Sequence, residues 1–492
     1  MAMSKRLRRG LRLGAVVLAV PILVVGVHLG IAAWNDPNEP LPPTQPGRGD
    51  ASRGSSAVPA EVVTVAPVLA EAESQLCALV RRAAATGRRI AIAGARHSMG
   101  GHTMLDDAIV VDTTPLAHVR IDAAARTVTA GAGASWRAIV PRLQREGLAV
   151  KVMQSNDDFT IGGSLAVNCH GWQQGLPPIA STVRSLRVVT AGGEVVVCTR
   201  DNEHRELFRH VLGGYGLFGI VTEATLEVVD DVYLVAKRTM TRPETYLETF
   251  QEQTADRSVG MTYGRISVSP LSFLESASVN VLRAVPADGR PSAGRVAEAD
   301  TLARLVFRGT AGSSFGKLVR DWGESWLGQT PGGWRSELQS EPVARFTNRD
   351  PGWVDLLHES FVPMPRLAEF VAAIRPMFAA SGVDLLNLTV RDVQPDLDTA
   401  LPYARVPVFG VVMLFHVERT DEASARVTAL TRAVIDAALD VGGTYYLTYR
   451  NDATVAQFER GYPQAAAFFA AKRRLDPQTV FANRWFVKYA RP

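Results

Sequence analysis

Ala93-Gly94-Ala95-Arg96-His97-Ser98 decides how this chain is read. Small residues in a loop that follows the apolar run 89–92 let successive backbone N–H groups converge on an anion. The loop continues through Met99-Gly100-Gly101-His102 towards a second β-rich run at 108–112. Two more turns follow. One is Thr160-Ile161-Gly162-Gly163-Ser164, extended by Asn168-Cys169-His170-Gly171; the other is Gly213-Gly214-Tyr215-Gly216-Leu217-Phe218-Gly219, which opens a β-rich run at Ile220-Val221. None fits G-x-G-x-x-G between strand and helix or G-x-x-x-x-G-K-[ST], so the ordinary Rossmann and P-loop readings are excluded. A single glycine turn is usually only a turn. Three in this order, with a histidine in the first, point to a dinucleotide cradled by backbone.

Taken together, these turns resemble the FAD domain of the vanillyl-alcohol oxidase and p-cresol methylhydroxylase superfamily, nearest in pattern to its alditol and aldonolactone oxidases. The resemblance covers about residues 60–230 and returns in Lys472, Asp476-Pro477, Phe481 and Asn483. It implies an FAD-dependent oxidoreductase with the PCMH-type arrangement. Ala93, Gly94, Ala95, Arg96, His97 and Ser98 then form the pyrophosphate loop, with His102 close behind. Thr160, Gly162, Gly163, Ser164, Asn168, His170 and Gly171 form a second wall, and Gly216, Gly219, Ile220 and Val221 lie along the cofactor, joined by Asn483. His97 stands where many members tether the flavin covalently. The common covalent members read Gly-Gly-His or Gly-Thr-Gly-His, whereas Ala95-Arg96 precede His97 here, so covalent and non-covalent FAD both stay open.

The fold class expected is α+β. A two-part FAD-binding domain over 60–231 precedes an antiparallel-sheet cap over 232–455, and a C-terminal segment, 456–492, returns to the FAD domain. Alternating runs at 260–269, 277–284, 384–393, 406–417 and 443–450 supply cap strands, and helical spacing at 365–380 and 422–439 separates them. Residues 293–341, with Trp322, Trp326 and Trp334, fit no strand pattern and read as an excursion towards a membrane or the substrate entrance, or as a plain surface helix and loop.

A flavin enzyme needs positive charge near the reduced ring and groups that orient the substrate. Alditol-oxidase-like members carry Glu-x-Arg on a cap strand; Leu388-Thr389-Val390-Arg391 resembles it, with Arg391 matching and Thr389 in place of the glutamate. Glu359, Tyr445 and Lys488 are the other catalytic candidates, with Tyr446 and Tyr449 beside them. The activity implied is oxidation of a CH–OH group of a sugar, polyol, lactone or lipid-linked sugar, with oxygen or a membrane quinone as electron acceptor. A C=C reductase of the sterol-reductase type and a degenerate, non-enzymatic flavoprotein are the alternatives.

Composition agrees with a folded enzyme: 47 % of residues are hydrophobic and the net charge is only +4, which argues against a nucleic-acid partner. Cys77, Cys169 and Cys198 are odd in number and lack metal spacing, so no metal site or disulfide framework is implied. A basic end, 1–13, precedes an apolar stretch, 14–34, long enough to cross a bilayer core of about 30 Å. The positive-inside rule then places the catalytic part on the extracytoplasmic side. A cleaved or twin-arginine leader is the competing reading. Residues 35–59, rich in Pro, Gly, Ser and Asp, read as a flexible tether.

Overall fold

The computed structural model describes residues 24–37, 39–286, 297–326, 332–342 and 346–490. Short apolar runs form three sheets. In the first, β1 (Glu61–Thr64), β2 (Ile90–Ala93) and β3 (Ile109–Asp112) pair in parallel in the order β1-β3-β2. The helix Leu69–Thr86 covers them with Leu76, Leu79 and Val80, and ends at Gly87, whose φ of 64° suits a residue without Cβ.

The second sheet is antiparallel. It contains β4 (Val119–Asp122), β5 (Thr127–Gly131), β7 (Val183–Val189), β8 (Val195–Cys198) and β9 (Ile220–Asp230) in the order β4-β5-β9-β7-β8, with β6 (Leu148–Val150) also paired to β9. The helices Trp136–Arg145, Ala465–Leu475 and Arg484–Tyr489 contribute Trp136, Phe468 and Trp485 to the large core beside it.

The third sheet has eight strands: β10 (Tyr233–Thr241), β11 (Val259–Ile266), β12 (Ala277–Val285), β13 (Gly333–Trp334), β14 (Trp353–Pro363), β15 (Asp384–Val393), β16 (Val408–Glu418) and β17 (Thr444–Tyr445). Their order is β13-β10-β12-β11-β15-β16-β14-β17. Residues directly opposite in a ladder share a face, so the register separates two unlike surfaces. Val279, Val281, Leu388, Val390, Val411 and Met413 point to one side, where the helices Tyr246–Thr254, Leu367–Ser381 and Asp421–Asp440 pack on them. Each such side chain contributes about 1.5–3 kcal/mol by burial. Tyr263, Arg265, Thr389, Arg391, Gly410, Glu359 and Phe361 share the other face. Trp172, from the loop after the second glycine turn, stacks on Tyr263 at 4.6 Å, so the polar face looks towards the glycine turns.

Two expectations change. The basic end and residues 14–23 lie outside the described residues; from 24 to 35 the chain is helical, and among the described residues no helix is long and apolar enough to cross a membrane. This helix instead rests on the 297–326 region: the His28 ring lies 3.0 Å from the Gly309 carbonyl, Ala32 is buried, and Asp36 makes a two-point pair with Arg304 at 2.6 Å. Secondly, the described part of 35–59 is no free tether. Arg96 donates to the Thr44 carbonyl at 3.0 Å, and Asp50, fully buried, accepts from the Gly101 amide at 2.9 Å. Polar and backbone bonds, which a count of apolar residues misses, hold it on the 93–101 loop. The described part of 293–341 is mainly helical, with helices Ala297–Arg308 and Ser314–Trp326 followed by the short β13, in line with the helix-and-loop reading of this stretch.

The C-terminal helices also brace the third glycine turn. Lys472 and Asp476, each 1 % exposed, form an ion pair one turn apart. Lys472 also donates to the Leu217 carbonyl at 2.7 Å, while Asp476 accepts from the amides of Val480 and Phe481 at 2.8 and 2.9 Å. Removing one partner of such a pair leaves the other charge buried and uncompensated. Lys472→Met is therefore expected to cost about 3–5 kcal/mol in denaturant unfolding and to lower cofactor content; unchanged stability would show that the pair is dispensable.

Candidate active site

The three glycine turns meet one another. Gly94 lies so close to Thr160 that a Cβ would come within 2.4 Å of the Thr160 hydroxyl oxygen. The amides of Gly213 and Tyr215 donate to the carbonyls of Leu165 and Ala166, both at 2.9 Å. Thr160 caps the short helix Ile161–Ala166 by accepting from the Gly163 amide, and Gly162 packs against Ala132. Ala93 ends β2 and is buried, whereas Gly94 to Ser98 are half-buried, with Arg96 at φ 63° turning the loop. His97 stacks on Phe159 at 4.3 Å, and burial, more than the opposing Asp158, pushes its pKa down.

Several expected contacts serve the frame of the site. Ser164, fully buried, accepts from the Trp136 indole and donates to Gln154, both at 2.9 Å. Asn168, at φ 50°, donates to Asp396 and accepts from the Ala180 amide. Asn483 donates to the Tyr215 carbonyl at 2.8 Å and caps the last helix, so it supports the third turn. Gly216 has φ 75° and lies beside Ile92. Gly219 starts β9 against Val188 and Val189, Ile220 is buried beneath the first sheet, and Val221 is half-buried. His102 is buried, near Tyr215 and Trp485, and burial holds its pKa near 3, so it is neutral. The Cys169 thiol is pushed up to about 12 by burial, which leaves it unreactive at neutral pH.

Facing this junction, the third sheet brings Glu359 and Arg391 together. Phe361 on β14 and Arg391 on β15 are both opposite Gly410 on β16, and Glu359 and Thr389 are both opposite Val412. Gly410 matters because a Cβ there would lie 2.7 Å from the Glu359 carboxylate and 3.4 Å from the His170 ring. Its absence lets His170 approach the sheet, and His170 Nε2 lies 2.9 Å from Glu359 Oε1, with the side chains 4 % and 0 % exposed. Burial pushes the Glu359 carboxyl up, but His170, Arg391 and His358 outweigh it and hold the group below its ordinary range. Tyr446 and Tyr403 stand near the His170 ring at 5.8 and 5.9 Å, and Tyr449 packs on Tyr446.

Tyr445 and Lys488 lie elsewhere. Tyr445 pairs with Ser360, which places it on the other face of β14, against Tyr462. Lys488 donates to the Asn451 carbonyl. Reasoning from sequence missed Phe159, Phe361, Tyr403 and Gly410; of these only the glycine inside a strand carried a readable sign of close approach.

The residues fit a dinucleotide. The buried hydroxyls of Ser98, Thr103 and Ser155, His170 Nδ1 and Arg391 Nε have no hydrogen-bond partner among the described residues, although buried polar atoms are nearly always paired.

Comparison with known proteins agrees. Residues 65–199 match the FAD binding domain family. The chain is 26 % identical over 443 residues to decaprenylphosphoryl-beta-D-ribose oxidase of Mycolicibacterium smegmatis, covering 85 % of this chain and 94 % of that protein. It is 30 % identical over 158 residues to L-gulono-1,4-lactone dehydrogenase of Mycobacterium tuberculosis, covering 32 % of this chain and 36 % of the relative. Cytokinin dehydrogenase 8 of Oryza sativa subsp. indica is 37 % identical over 152 residues, 28 % of each chain. With these matches and the converging turns, the chain carries an FAD-binding domain and is an FAD-dependent oxidoreductase.

Proposed function

We propose that this enzyme oxidises a CH–OH group of a sugar, lactone, polyol or lipid-linked sugar, with the substrate held between the glycine turns and the polar face of the third sheet. The observation that carries the reading is the buried His170–Glu359 pair beside Arg391. The names of two relatives, a ribose oxidase and a lactone dehydrogenase, support the substrate class. FAD, when bound, supplies the two-electron acceptor for the hydride leaving carbon.

The residues of this chain have separable tasks. Gly94 to Ser98, Thr160 and Gly163 hold the pyrophosphate. Glu359, kept anionic, sets His170 with a hydrogen on Nε2, and Nδ1, which has no protein partner, takes the hydroxyl proton. Arg391, permanently charged, stabilises the negative charge that grows as that proton departs. Phe361, Tyr403 and Tyr446 keep water from the pair. The electron acceptor in our reading is oxygen or a membrane quinone.

We further propose that the N-terminus holds the enzyme at a membrane, with the catalytic part extracytoplasmic. Basic residues 5–12 precede an apolar stretch, and the helix at 24–35 presents Val24, Val27, Ile31 and Trp34 outward, each at least 45 % exposed. The full chain is expected to sediment with vesicles, and a chain lacking residues 1–34 to stay in the supernatant; equal partitioning would remove the anchor.

Two experiments test the chemistry. In anaerobic mixing with a panel of sugars, polyols and lactones, at least one compound should bleach the visible flavin band. Arg391→Met and Glu359→Gln should keep FAD and slow the bleaching by roughly 10²-fold or more. Bleaching by NADPH and by no alcohol would favour C=C reduction instead. For the tether, acid denaturation should leave the chromophore on the chain, and His97→Ala should release it; flavin lost from the wild type means that His97 only contacts it.

A further inference from the structure

The stretch before the first sheet is bonded to the cofactor loop more closely than a connector requires. Residues 48–57 fold back on themselves: Gly49 and Ser56 form an antiparallel bridge, and the Ala57 amide donates to the Arg48 carbonyl at 3.3 Å. Where this small hairpin turns, Asp50 is fully buried and accepts from the Gly101 amide at 2.9 Å, from the Ser52 amide at 3.0 Å and from the Ser52 hydroxyl. The neighbouring Ala51 amide donates to the Ser98 carbonyl at 3.1 Å. Burial pushes the Asp50 carboxyl up, outweighing those bonds and the nearby Arg484. A buried acid of this kind is costly unless its bonds are made, and a plain connector has no use for one.

A second grip is on Arg96. Its φ of 63° is uncommon for a residue with a side chain and costs energy that the surroundings must offset. The guanidinium supplies that offset: Nε donates to the Thr44 carbonyl and Nη1 to the Gly94 carbonyl, both at 3.0 Å. One side chain thus ties the loop to the preceding strap while its own backbone makes the turn before His97. The strap reaches the Arg96 side chain, the Ser98 carbonyl and the Gly101 amide, and through these bonds it uses none of the amides of residues 95–98, which are left for the cofactor.

Other parts of the molecule hold the strap in place. Gly47, at φ 71°, lies so close to β3 that a Cβ would come within 2.5 Å of a Val110 methyl. Arg484 donates to the Ser56 carbonyl, and its own amide donates to the Gly101 carbonyl at 3.2 Å. Arg419, just past β16, donates to the Arg53 carbonyl at 3.2 Å. The strap precedes residues 65–199, the span that matches the FAD binding domain family.

We propose that residues 44–57 are a clasp on the FAD loop, in which the Thr44 carbonyl fixes the Arg96 turn and Asp50 and Ala51 fix the loop's far end, so that the amides of 95–98 and the His97 ring are set for FAD between them. Asp50 is a positioning residue: it acts on the cofactor through Gly101. Because clasp and FAD order the same loop, each favours the other by the same factor. The inference concerns FAD binding alone and holds whichever substrate is oxidised.

The test titrates FAD into full-length apoprotein and follows the loss of free-flavin fluorescence, in proteins that all carry His97→Ala so that covalent attachment does not mask affinity. Asp50→Ala should weaken FAD about tenfold or more. Gly47→Val, which lifts the strap from Val110 at a residue with no bond to the loop, should weaken it several-fold. With Arg96→Gly also present, whose turn needs no side chain to hold it, Asp50→Ala should cost less than about twofold, because the two grips act as one unit. A residue needed only for folding would cost the same in both backgrounds. Adding FAD to the His97→Ala protein should also slow hydrogen exchange at the amides of 44–57. If Asp50→Ala or Arg96→Gly does not fold, Gly47→Val and the exchange measurement decide. Equal losses in the two Arg96 backgrounds, undiminished affinity in Asp50→Ala and Gly47→Val, or exchange at 44–57 that ignores FAD overturns the proposal.

Discussion

The loop from Val167 to Gly175 is the constraint on which the site depends, because it must satisfy buried polar groups on both sides of one junction. Asn168 donates to Asp396 at 2.9 Å, and its carbonyl accepts from the Tyr403 hydroxyl at 2.6 Å. The Val167 carbonyl accepts from Tyr446 at 2.8 Å, the Trp172 carbonyl from the Thr262 amide at 2.7 Å, and the Gly175 amide donates to Asp392 at 2.7 Å. Each such bond, if broken, leaves a buried polar group unpaired at a cost of about 1–3 kcal/mol. The loop takes its path only because Asn168 adopts φ 50° and because Gly171 has no Cβ, which would lie 2.0 Å from the Met153 carbonyl. His170 is carried on this loop, and its position against Glu359 follows from the seam.

The third sheet then does two jobs with one alternation. Its apolar face is held by helices, which leaves its other face free to carry residues that would be costly in a core. Glu359 occurs there fully buried beside the half-buried Arg391, and His170 arrives from another part of the chain to complete the group. Strained or under-paired polar groups of this kind persist where the surrounding packing fixes them, which is where functional sites are found. The same face extends to Arg265 and, under the helix Ser314–Trp326, meets Arg320.

Much of this was legible in the chain. The glycine turns could be read because close approach and positive φ are demands that single residues answer, as at Gly94, Gly171 and Gly213. Lys472, Asp476 and Asn483 were readable as a signature, and the structure supplies their physical task, which is to hold the carbonyls of Leu217 and Tyr215. β14 was not legible as a strand: Phe361 and Val362 are buried on opposite faces, so no alternation of apolar and polar residues marks it. Nor was the meeting of His170 with Glu359, which depends on register across β14 and β16 and on the glycine at 410. The segment before the first sheet misled because its composition lacks core residues, whereas it is held through Asp50, Thr44 and the backbone.

The central claim is that the flavin ring lies between the glycine turns and the His170–Glu359–Arg391 group. A crystal structure of the FAD-loaded protein tests it most directly. The account predicts density for the pyrophosphate against Gly94 to Ser98 and for the isoalloxazine ring within contact distance of His170 and Arg391. Density for the ring on the far side of the 93–101 loop, with His170 and Glu359 still sealed from it, would contradict the account.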